Sequence, residues 1–164
     1  MKEVFEELVK KIITKEDFLL FIEEINLLEQ VVFKNIEVPL WKRVKGKVRE
    51  EFRNELQKLE KEGVIPASPN QQFSFFDELK NYLQKIPQVK LEIAFEPSED
   101  FLLRIKKWFK EENHQEVILD ITVNPKIVGG AIIEYQGYFR DFSLVKEMDK
   151  LTPHQILVGG KHYE

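Results

Sequence analysis

The chain has 164 residues, 43% of them hydrophobic, and a formal net charge of -4 that results from 29 acidic and 25 basic side chains. This nearly balanced charge argues against nucleic acid as a partner, because phosphate binding needs a surplus of Lys and Arg on one face. The chain has no cysteine, which excludes disulfide bridges and zinc or iron–sulfur sites built from thiolates.

The N-terminal region, residues 1–63, is predicted to be all-helical, with about three helices. Apolar residues recur at helical spacing over residues 1–13 and again over 15–33. Thr14, followed by Asp17 three positions later, indicates a capping box that opens the second helix. The apolar stripe of this helix is too wide for one neighbour. We therefore expect a helix in the middle of a small bundle or, alternatively, one that binds a partner helix along one side.

A third helix is predicted to begin at Leu40, directly after Pro39, and to run for about 22 residues to a stop at Gly63. Its apolar stripe is narrow, and its other positions are densely charged. This pattern is typical of a strut or a coiled-coil-like contact rather than of a helix buried in a core.

Residues 64–73 contain two prolines among small and polar residues, which predicts a linker. Beyond it, a C-terminal α/β domain is expected over residues 74–152, and residues 153–164 form a tail. The first helix of this domain is expected to begin with Ser74 as its N-cap.

Apolar and polar residues alternate over 89–95 and 117–123, which indicates two strands. Between these strands, Ser98 is positioned to open a helix and Asn113 to end it in the left-handed conformation. The predicted order of the C-terminal domain is helix, strand, helix, strand, strand and helix. The fold class is therefore α+β, with an all-helical segment followed by a small α/β unit.

The stretch 124–151 predicts two strands joined by a turn at Gly137 and a closing helix with Asp141 as its N-cap. Gly129 and Gly130 interrupt an apolar run, and such a pair usually marks a bulge or a close approach of two backbones. We expect these glycines to be architectural, so that a bent strand packs closely and the last helix is correctly aimed.

The sequence shows no candidate catalytic, cofactor or metal site. His114, His154 and His162 lie far apart in the sequence and lack the spacing of a helix-borne metal site. The pair of glycines at 129 and 130 leads into a strand instead of a helix N-terminus, so it does not match a dinucleotide-binding loop. We therefore expect neither enzymatic activity nor a cofactor.

The stretch 124–151 resembles the C-terminal signature of the delta subunit of bacterial F-type ATP synthases, whose mitochondrial counterpart is the oligomycin-sensitivity-conferring protein. In that family a proline precedes a Gly-Gly pair, an apolar strand and a glycine turn follow, and an Asp-x-Ser step opens the last helix. The resemblance covers about half of the chain, and the helical N-terminal region is shorter than the family's bundle. The matching motif residues are Pro125, Gly129, Gly130, Gly137, Asp141 and Ser143.

The resemblance implies a structural subunit of the peripheral stalk, or stator, of an ATP-synthesising complex. Such a subunit links the membrane-anchored b-type stalk helices to the alpha/beta catalytic head, so that the head does not turn with the rotor. The implied location is cytoplasmic and peripheral to the inner (plasma) membrane. Contact with the membrane is expected only through partners, since no apolar run approaches the roughly 20 residues of a membrane span.

Two alternatives remain open at this point. One is the E-type stalk subunit of vacuolar or archaeal ATPases, whose long N-terminal helix suits the charged third helix. The other is a regulatory, ligand-sensing α/β module with a helical dimerisation arm. Under the stalk hypothesis, the candidate partner interface consists of six apolar residues, Phe18, Ile22, Ile25, Phe142, Val145 and Met148.

Overall fold

The computed structural model describes residues 2–127 and 129–142. Before Gln88, where the first strand begins, the regular secondary structure consists of helices. Within this part the described helices are α1 (Lys2–Lys10), α2 (Lys15–Val31), α3 (Leu40–Arg43), α4 (Glu50–Lys61) and α5 (Pro69–Leu83). They pack around a common apolar core, in which edge-to-face aromatic contacts join α1 to α5 and α2 to α4. Among its fully buried side chains are Val9, Ile25, Leu28, Leu40, Leu56, Phe76, Leu79 and Leu83.

The capping box predicted for the second helix is confirmed. The Thr14 hydroxyl accepts a hydrogen bond from the Asp17 amide at 3.1 Å, and the Asp17 carboxylate accepts one from the Thr14 amide at 2.9 Å. Two amide groups at the start of α2 are thus satisfied by side chains, which fixes where the helix begins.

The single long helix predicted from Leu40 onward is wrong. The chain forms the short α3, turns through residues 44–49, where Gly46 has a φ of +75°, and then starts α4. The narrow apolar stripe on α4 buries Phe52, Leu56 and Leu59, so this helix belongs to the core rather than forming a strut.

Glu24 on α2 fixes the start of α4. Its carboxylate accepts hydrogen bonds from the Arg49 backbone amide at 2.7 Å and from the Arg49 guanidinium at 3.1 and 2.8 Å. The bonds from the guanidinium, together with the negative charge of Glu24, raise the pKa of Arg49 against the opposing effect of burial. A carboxylate at a helix N-terminus also interacts favourably with the helix dipole.

Two further side chains form hydrogen bonds with the backbone at the start of α3 and at the C-terminal end of α2. The Glu60 carboxylate accepts hydrogen bonds from the Leu40 and Trp41 amides at 2.8 and 2.9 Å, which caps the start of α3. The Arg43 guanidinium donates to the carbonyls of Val31 and Val32 at 3.1 and 2.9 Å, near the end of α2. Burial lowers the pKa of Arg43, and the charge of Glu60 opposes that effect. Glu24, Arg43 and Glu60 are called the capping side chains below.

The helix after the predicted linker begins earlier than the sequence suggested. Pro69 is the first residue of α5 and Ser68 precedes it, so Ser74 lies inside the helix and is not its N-cap. Proline suits the first helical position, where its missing N–H costs no hydrogen bond. Lys80 on α5 forms an ion pair with Glu29 on α2 at 2.6 Å.

The chain divides into two compact units, Met1–Pro87 and Gln88–Glu164. This division differs from the sequence-based boundaries, which placed a linker at 64–73 and assigned the next helix to the C-terminal domain. The difference arises because α5 supplies buried apolar side chains to the core of the helical unit. Those side chains are Phe75, Phe76, Leu79 and Leu83.

The C-terminal unit is a four-stranded sheet with one described helix. Its elements are β1 (Gln88–Ile93), α6 (Glu99–Asn113), β2 (Ile118–Val123), β3 (Ala131–Tyr135) and β4 (Tyr138–Asp141). The strand order is β2-β1-β3-β4, with β1 and β2 parallel and the other pairs antiparallel. An all-helical unit followed by an α/β unit confirms the α+β class. The predicted element order named three strands, whereas the structure has four, because both strands predicted on either side of Gly137 are present as β3 and β4.

The start of α6 agrees with the sequence prediction, and its end differs by one residue. The Ser98 hydroxyl accepts a hydrogen bond from the Phe101 amide at 3.3 Å. At the other end, His114 and not Asn113 adopts the left-handed conformation, with a φ of 53°. The Asn113 side-chain amide instead donates to the Phe109 carbonyl at 3.2 Å.

The glycine-rich stretch forms a turn followed by a hairpin. Pro125 lies in the turn after β2, Gly129 and Gly130 precede β3, and Gly130 has a φ of +83°. Gly137 has a φ of +82° in the hairpin between β3 and β4, which confirms the predicted turn. Asp141 ends β4, where it pairs with Ile132. The predicted closing helix, including Ser143, Val145 and Met148, lies outside the described residues.

Candidate interaction surfaces

The candidate sites of this chain are grooves and exposed faces of its two units. Within the ranges 2–127 and 129–142, no group of three or more His, Cys, Asp or Glu side chains is placed to hold a metal ion. In the same part of the chain, no helix is both long enough and apolar enough to cross a membrane.

The predicted interface residues on α2 have different environments. Ile25 is fully buried in the helical core, so it is not available to a partner of the folded chain. Phe18 and Ile22 are half-buried. The residues that α2 does expose are Leu19 and Leu20, at 52% and 48%. The breadth of the apolar stripe predicted contact with more than one neighbour, and α2 does contact both α4 and α5. This packing decides which part of the stripe is exposed.

Phe142, the remaining described member of that set, is 60% exposed and follows β4 in the C-terminal unit. It therefore belongs to a different compact unit from the candidates on α2. Val145 and Met148 lie outside the described residues. The described members of the predicted interface are thus divided between two units.

A groove of about 230 Å³ runs between α1, α2 and α4, and it is called the α1–α4 groove below. Phe21 and Phe52 meet edge to face in it, with ring centroids 4.8 Å apart. Lys11 and Glu55 form an ion pair at its rim at 2.6 Å. The groove combines an apolar base with charges of both signs, and its lining residues are Leu8, Lys11, Ile12, Asp17, Phe21, Arg49, Glu51, Phe52 and Glu55.

A second, wider groove of about 770 Å³ lies at the other end of α4, beside α3 and the start of α5. Ile36 and Val38 on its edge are exposed, and the exposed rings of Phe33 and Phe73 contact each other at 6.1 Å. Gln72 is buried in its wall, where the side-chain amide donates to the Pro66 carbonyl at 2.9 Å. No sequence pattern had indicated this surface.

The two faces of the sheet differ in character. On one face Val89, Leu91 and Ile93 are buried, and Phe109 of α6 contacts Tyr135 of β3 at 5.5 Å. This face is therefore covered by α6. On the other face, called the polar sheet face below, a shallow cavity of about 130 Å³ is lined mainly by polar side chains. The polar sheet face consists of Lys90, Glu92, Asp120, Thr122, Ile132, Glu134, Phe139 and Asp141.

The geometry alone does not identify the family of this chain, whereas comparison with known proteins does. The family model described as ATP synthase delta (OSCP) subunit matches residues 2–154 of this chain. The chain belongs to this family. The match includes the helical unit, so it extends well beyond the half of the chain on which the sequence motifs rested. It confirms the resemblance inferred from the glycine-rich stretch.

One relative of this delta-family chain is a protein from Rickettsia bellii (strain OSU 85-389) named ATP synthase subunit delta. It is 26% identical over 151 residues, a region that covers 80% of this chain and 78% of the relative. Membership of the delta family implies a peripheral-stalk subunit of an F-type ATP synthase, which is a structural and not a catalytic part. It favours the F-type assignment over the vacuolar or archaeal alternative.

Proposed function

We propose that this delta-family chain links the b-type stalk helices, which are anchored in the membrane, to the alpha/beta catalytic head. In this proposal the helical unit binds the head and the C-terminal unit binds the stalk. The observation that carries the proposal is the family match over residues 2–154. A linker of this kind needs two stable binding surfaces and no reacting group.

The division of the chain into two compact units supports this proposal. Each unit has its own buried core, one formed between helices and the other between the sheet and α6. Each also carries a surface suited to a protein partner, namely the α1–α4 groove and the polar sheet face. Two surfaces on two separately packed units suit a chain that binds two different partners.

The α1–α4 groove is the surface that we assign to the head. Its base contains Phe21 and Phe52, and its rim contains exposed Glu51 as well as the Lys11–Glu55 ion pair. An amphipathic helix that lies in such a groove buries its apolar side on the base and places its charged side chains on the rim. Aromatic residues at the centre of an interface commonly contribute much of the binding energy.

The test is a two-partner binding experiment with the full chain. A tagged chain is incubated with detergent-solubilised membranes of the source organism from which the native subunit has been removed, and the captured proteins are identified by mass spectrometry. We expect both catalytic-head and b-type stalk subunits to be recovered. Recovery of neither would refute the proposal. A homodimer that gains thermal stability from a metabolite would instead favour the ligand-sensing alternative.

A charge-reversal variant assigns the head to one unit. Glu51→Lys changes the rim of the α1–α4 groove at an exposed position, and Glu62→Lys makes the same change at the exposed end of α4. We expect Glu51→Lys to reduce recovery of head subunits about tenfold while stalk recovery is unchanged, because charges at an interface edge act mainly on that interface. Equal effects of the two variants on head recovery would contradict the assignment.

A further inference from the structure

We propose that residues 143–151, which lie beyond the described part of the chain, fold back as a helix onto the sheet of their own unit. They fill the angle between α6 and the strands β3 and β4, which is called the α6–β3 corner below. This inference goes beyond the proposed function and assigns Val145 and Met148 to the core of the unit instead of to a partner interface. The α6–β3 corner consists of Phe101, Ile105, Trp108, Ile133, Tyr135, Tyr138 and Phe142.

Burial on the α6 side of the sheet decreases strand by strand from β1 to β4. The three side chains that β1 directs to this side are between 0% and 1% exposed. Their neighbours on β3, Ile133 and Tyr135, are half-buried. Tyr138 on β4 pairs with Tyr135 and is 76% exposed. Residues paired across strands lie on the same side of a sheet, so the cover that α6 provides to β1 ends before β4.

One ion pair and one ring contact define the position of α6 over the sheet. Lys106 lies 3.7 Å from Glu116, which directly precedes the β2 region, so this side of the helix faces β2. Phe109 contacts Tyr135 of β3, with ring centroids 5.5 Å apart. The helix therefore lies over β1, between β2 and β3, with one flank towards each of these strands.

The flank of α6 towards β3 is an apolar stripe. Phe101, Ile105 and Trp108 recur at intervals of four and three residues, which places them on one side of the helix. Phe101 and Ile105 are half-buried, and Trp108 is 50% exposed. Because α6 is the one described helix of this unit, its apolar flank and the adjacent strands form an angle that a further helix fits.

The described chain ends at the edge of this angle. The Phe142 amide donates a hydrogen bond to the Ala131 carbonyl at 2.8 Å, which extends the hairpin of β3 and β4. Ala131 also pairs with Ile93 at the end of β1, and α6 begins shortly afterwards at Glu99. A helix that follows Phe142 and folds back over the sheet therefore starts at the same edge as α6 and runs in the same direction.

The spacing of helices and strands agrees with this position. Packed helices lie about 8–10 Å apart, and neighbouring strands lie about 4.8 Å apart. Two strand spacings, from β1 to β4, thus equal one helix spacing. With α6 over β1, a second helix beside it lies over β4, the strand that it follows. A helix over residues 143–151 is about 14 Å long, close to the length of about 17 Å of the five-residue β3.

The segment has the polarity that the corner requires. Its apolar residues recur at helical spacing on one side and its charged residues lie on the other, and Pro153 follows as a stop signal. The apolar side is available to the corner, while the charged side, with two charges of each sign, stays in water. The apolar residues are Leu144, Val145, Met148 and Leu151, and the charged residues are Lys146, Glu147, Asp149 and Lys150.

Covalent attachment favours this segment over a helix from another protein. The segment is joined to Phe142 at the edge of the corner, so its effective concentration there is high. A helix from a partner, or from a second copy of the chain, has to displace it.

The absence of cysteine from the chain permits a disulfide test of this arrangement. Met148→Cys is combined either with Ile105→Cys, on the flank towards β3, or with the control Leu103→Cys, an exposed position on the other flank of α6. Both full-length double variants are oxidised with copper phenanthroline at low protein concentration. We expect the disulfide between positions 105 and 148 to form at least about fivefold faster than that between 103 and 148, because a disulfide requires close Cβ atoms.

The oxidation products, identified by mass spectrometry, separate the proposed occupant from the others. Equal rates from positions 103 and 105 would overturn the inference, and so would a failure of positions 105 and 148 to react. A disulfide that joins two copies of the chain in preference would also overturn it, because a second copy would then fill the corner. These outcomes are independent of whether head and stalk subunits are recovered, so the inference and the proposed function fail separately.

The fluorescence of Trp108 provides a second test, because this ring lines the corner. In a Trp41→Phe background it is the one remaining tryptophan of the chain. Met148→Ser changes the apolar side of the segment, and the matched control Lys146→Ser changes its charged side. We expect Met148→Ser to shift the emission of Trp108 to the red, increase its quenching by acrylamide and lower the urea midpoint of the C-terminal unit, whereas Lys146→Ser behaves like the background. Identical quenching in the two variants would contradict the inference.

Discussion

Replacement of Glu24 by alanine is expected to destabilise the helical unit more than replacement of its partner Arg49. Glu24 is only 6% exposed and accepts three hydrogen bonds from Arg49, one of them from the backbone amide that starts α4. Arg49→Ala removes the two guanidinium bonds but leaves the backbone bond. Glu24→Ala removes all three, so it also removes the cap of α4.

The magnitudes follow from the exposure of the two partners. A hydrogen bond to a charged group contributes about 1.5–3 kcal/mol, and loss of an N-cap costs about 1 kcal/mol. The Arg49 side chain is 44% exposed, so solvent screens part of the ion pair. We therefore expect Glu24→Ala to lower the free energy of unfolding by about 2–3 kcal/mol and Arg49→Ala to lower it by about 1 kcal/mol.

The two tryptophans make this measurement specific to one unit. Trp41 lies in the helical unit and Trp108 in the C-terminal unit, where it is 50% exposed. In a Trp108→Phe background, the fluorescence of Trp41 during urea unfolding reports on the helical unit alone. Glu7→Ala is the control, because the Glu7 side chain is 69% exposed and pairs with Lys10 within the same helix. Equal losses for Glu24→Ala and Arg49→Ala, or a loss below about 0.5 kcal/mol for both, would refute the capping argument.

Three further predictions concern single positions. Glu60→Ala leaves two amides of α3 uncapped and should lower the free energy of unfolding by about 1–2 kcal/mol. Amide hydrogen exchange at Trp41 should become faster, and unchanged exchange there would contradict the prediction. Ile25→Ala creates a cavity in the core and should cost about 2–5 kcal/mol in urea unfolding, whereas Leu20→Ala on the exposed side of the same helix should cost less than about 0.5 kcal/mol. Gly130→Val places a branched residue at a φ of +83° and should lower the stability of the C-terminal unit and its partner binding together. Loss of binding with unchanged stability would instead place this glycine in the interface.

Local signals in the sequence predicted the elements that local chemistry determines. The capping box at Thr14, the N-cap at Ser98 and the turn at Gly137 all depend on residues within a few positions of one another. The strand β1 was recognisable because one side of it is buried and the other is not, which produces the alternation. Burial along β2 instead decreases from Ile118 and Leu119 towards Thr122 and Val123, so its alternation in sequence does not correspond to one buried and one exposed side. The family motif was likewise recognised from residues that lie close together in the sequence, between Pro125 and Ser143.

Elements that depend on distant residues were not predictable in this way. The break between α3 and α4 is fixed by Glu24 and Glu60, which lie 25 and 20 positions from the amides that they cap at Arg49 and Leu40. The unit boundary depends on α5 packing against α1 and α2, a contact between residues about 50 or more positions apart in the sequence. The exposed part of the α2 stripe is likewise decided by its neighbours. The start of α5 is a different case, because a local signal for it exists. Pro69 is typical of a first helical position and predicts the start of this helix better than Ser74 does.

The capping side chains also have a mechanical consequence. The four-residue α3 is too short to be stable by itself, yet it is tied to the end of α2 through Arg43 and to the side of α4 through Glu60. A force applied to one of these three helices is therefore transmitted to the others through these charged hydrogen bonds, which also hold the helix ends against fraying. The short helix α3 thus connects the two longer helices α2 and α4. The proposed link between the stalk and the catalytic head requires stiffness of this kind at the joints between helices.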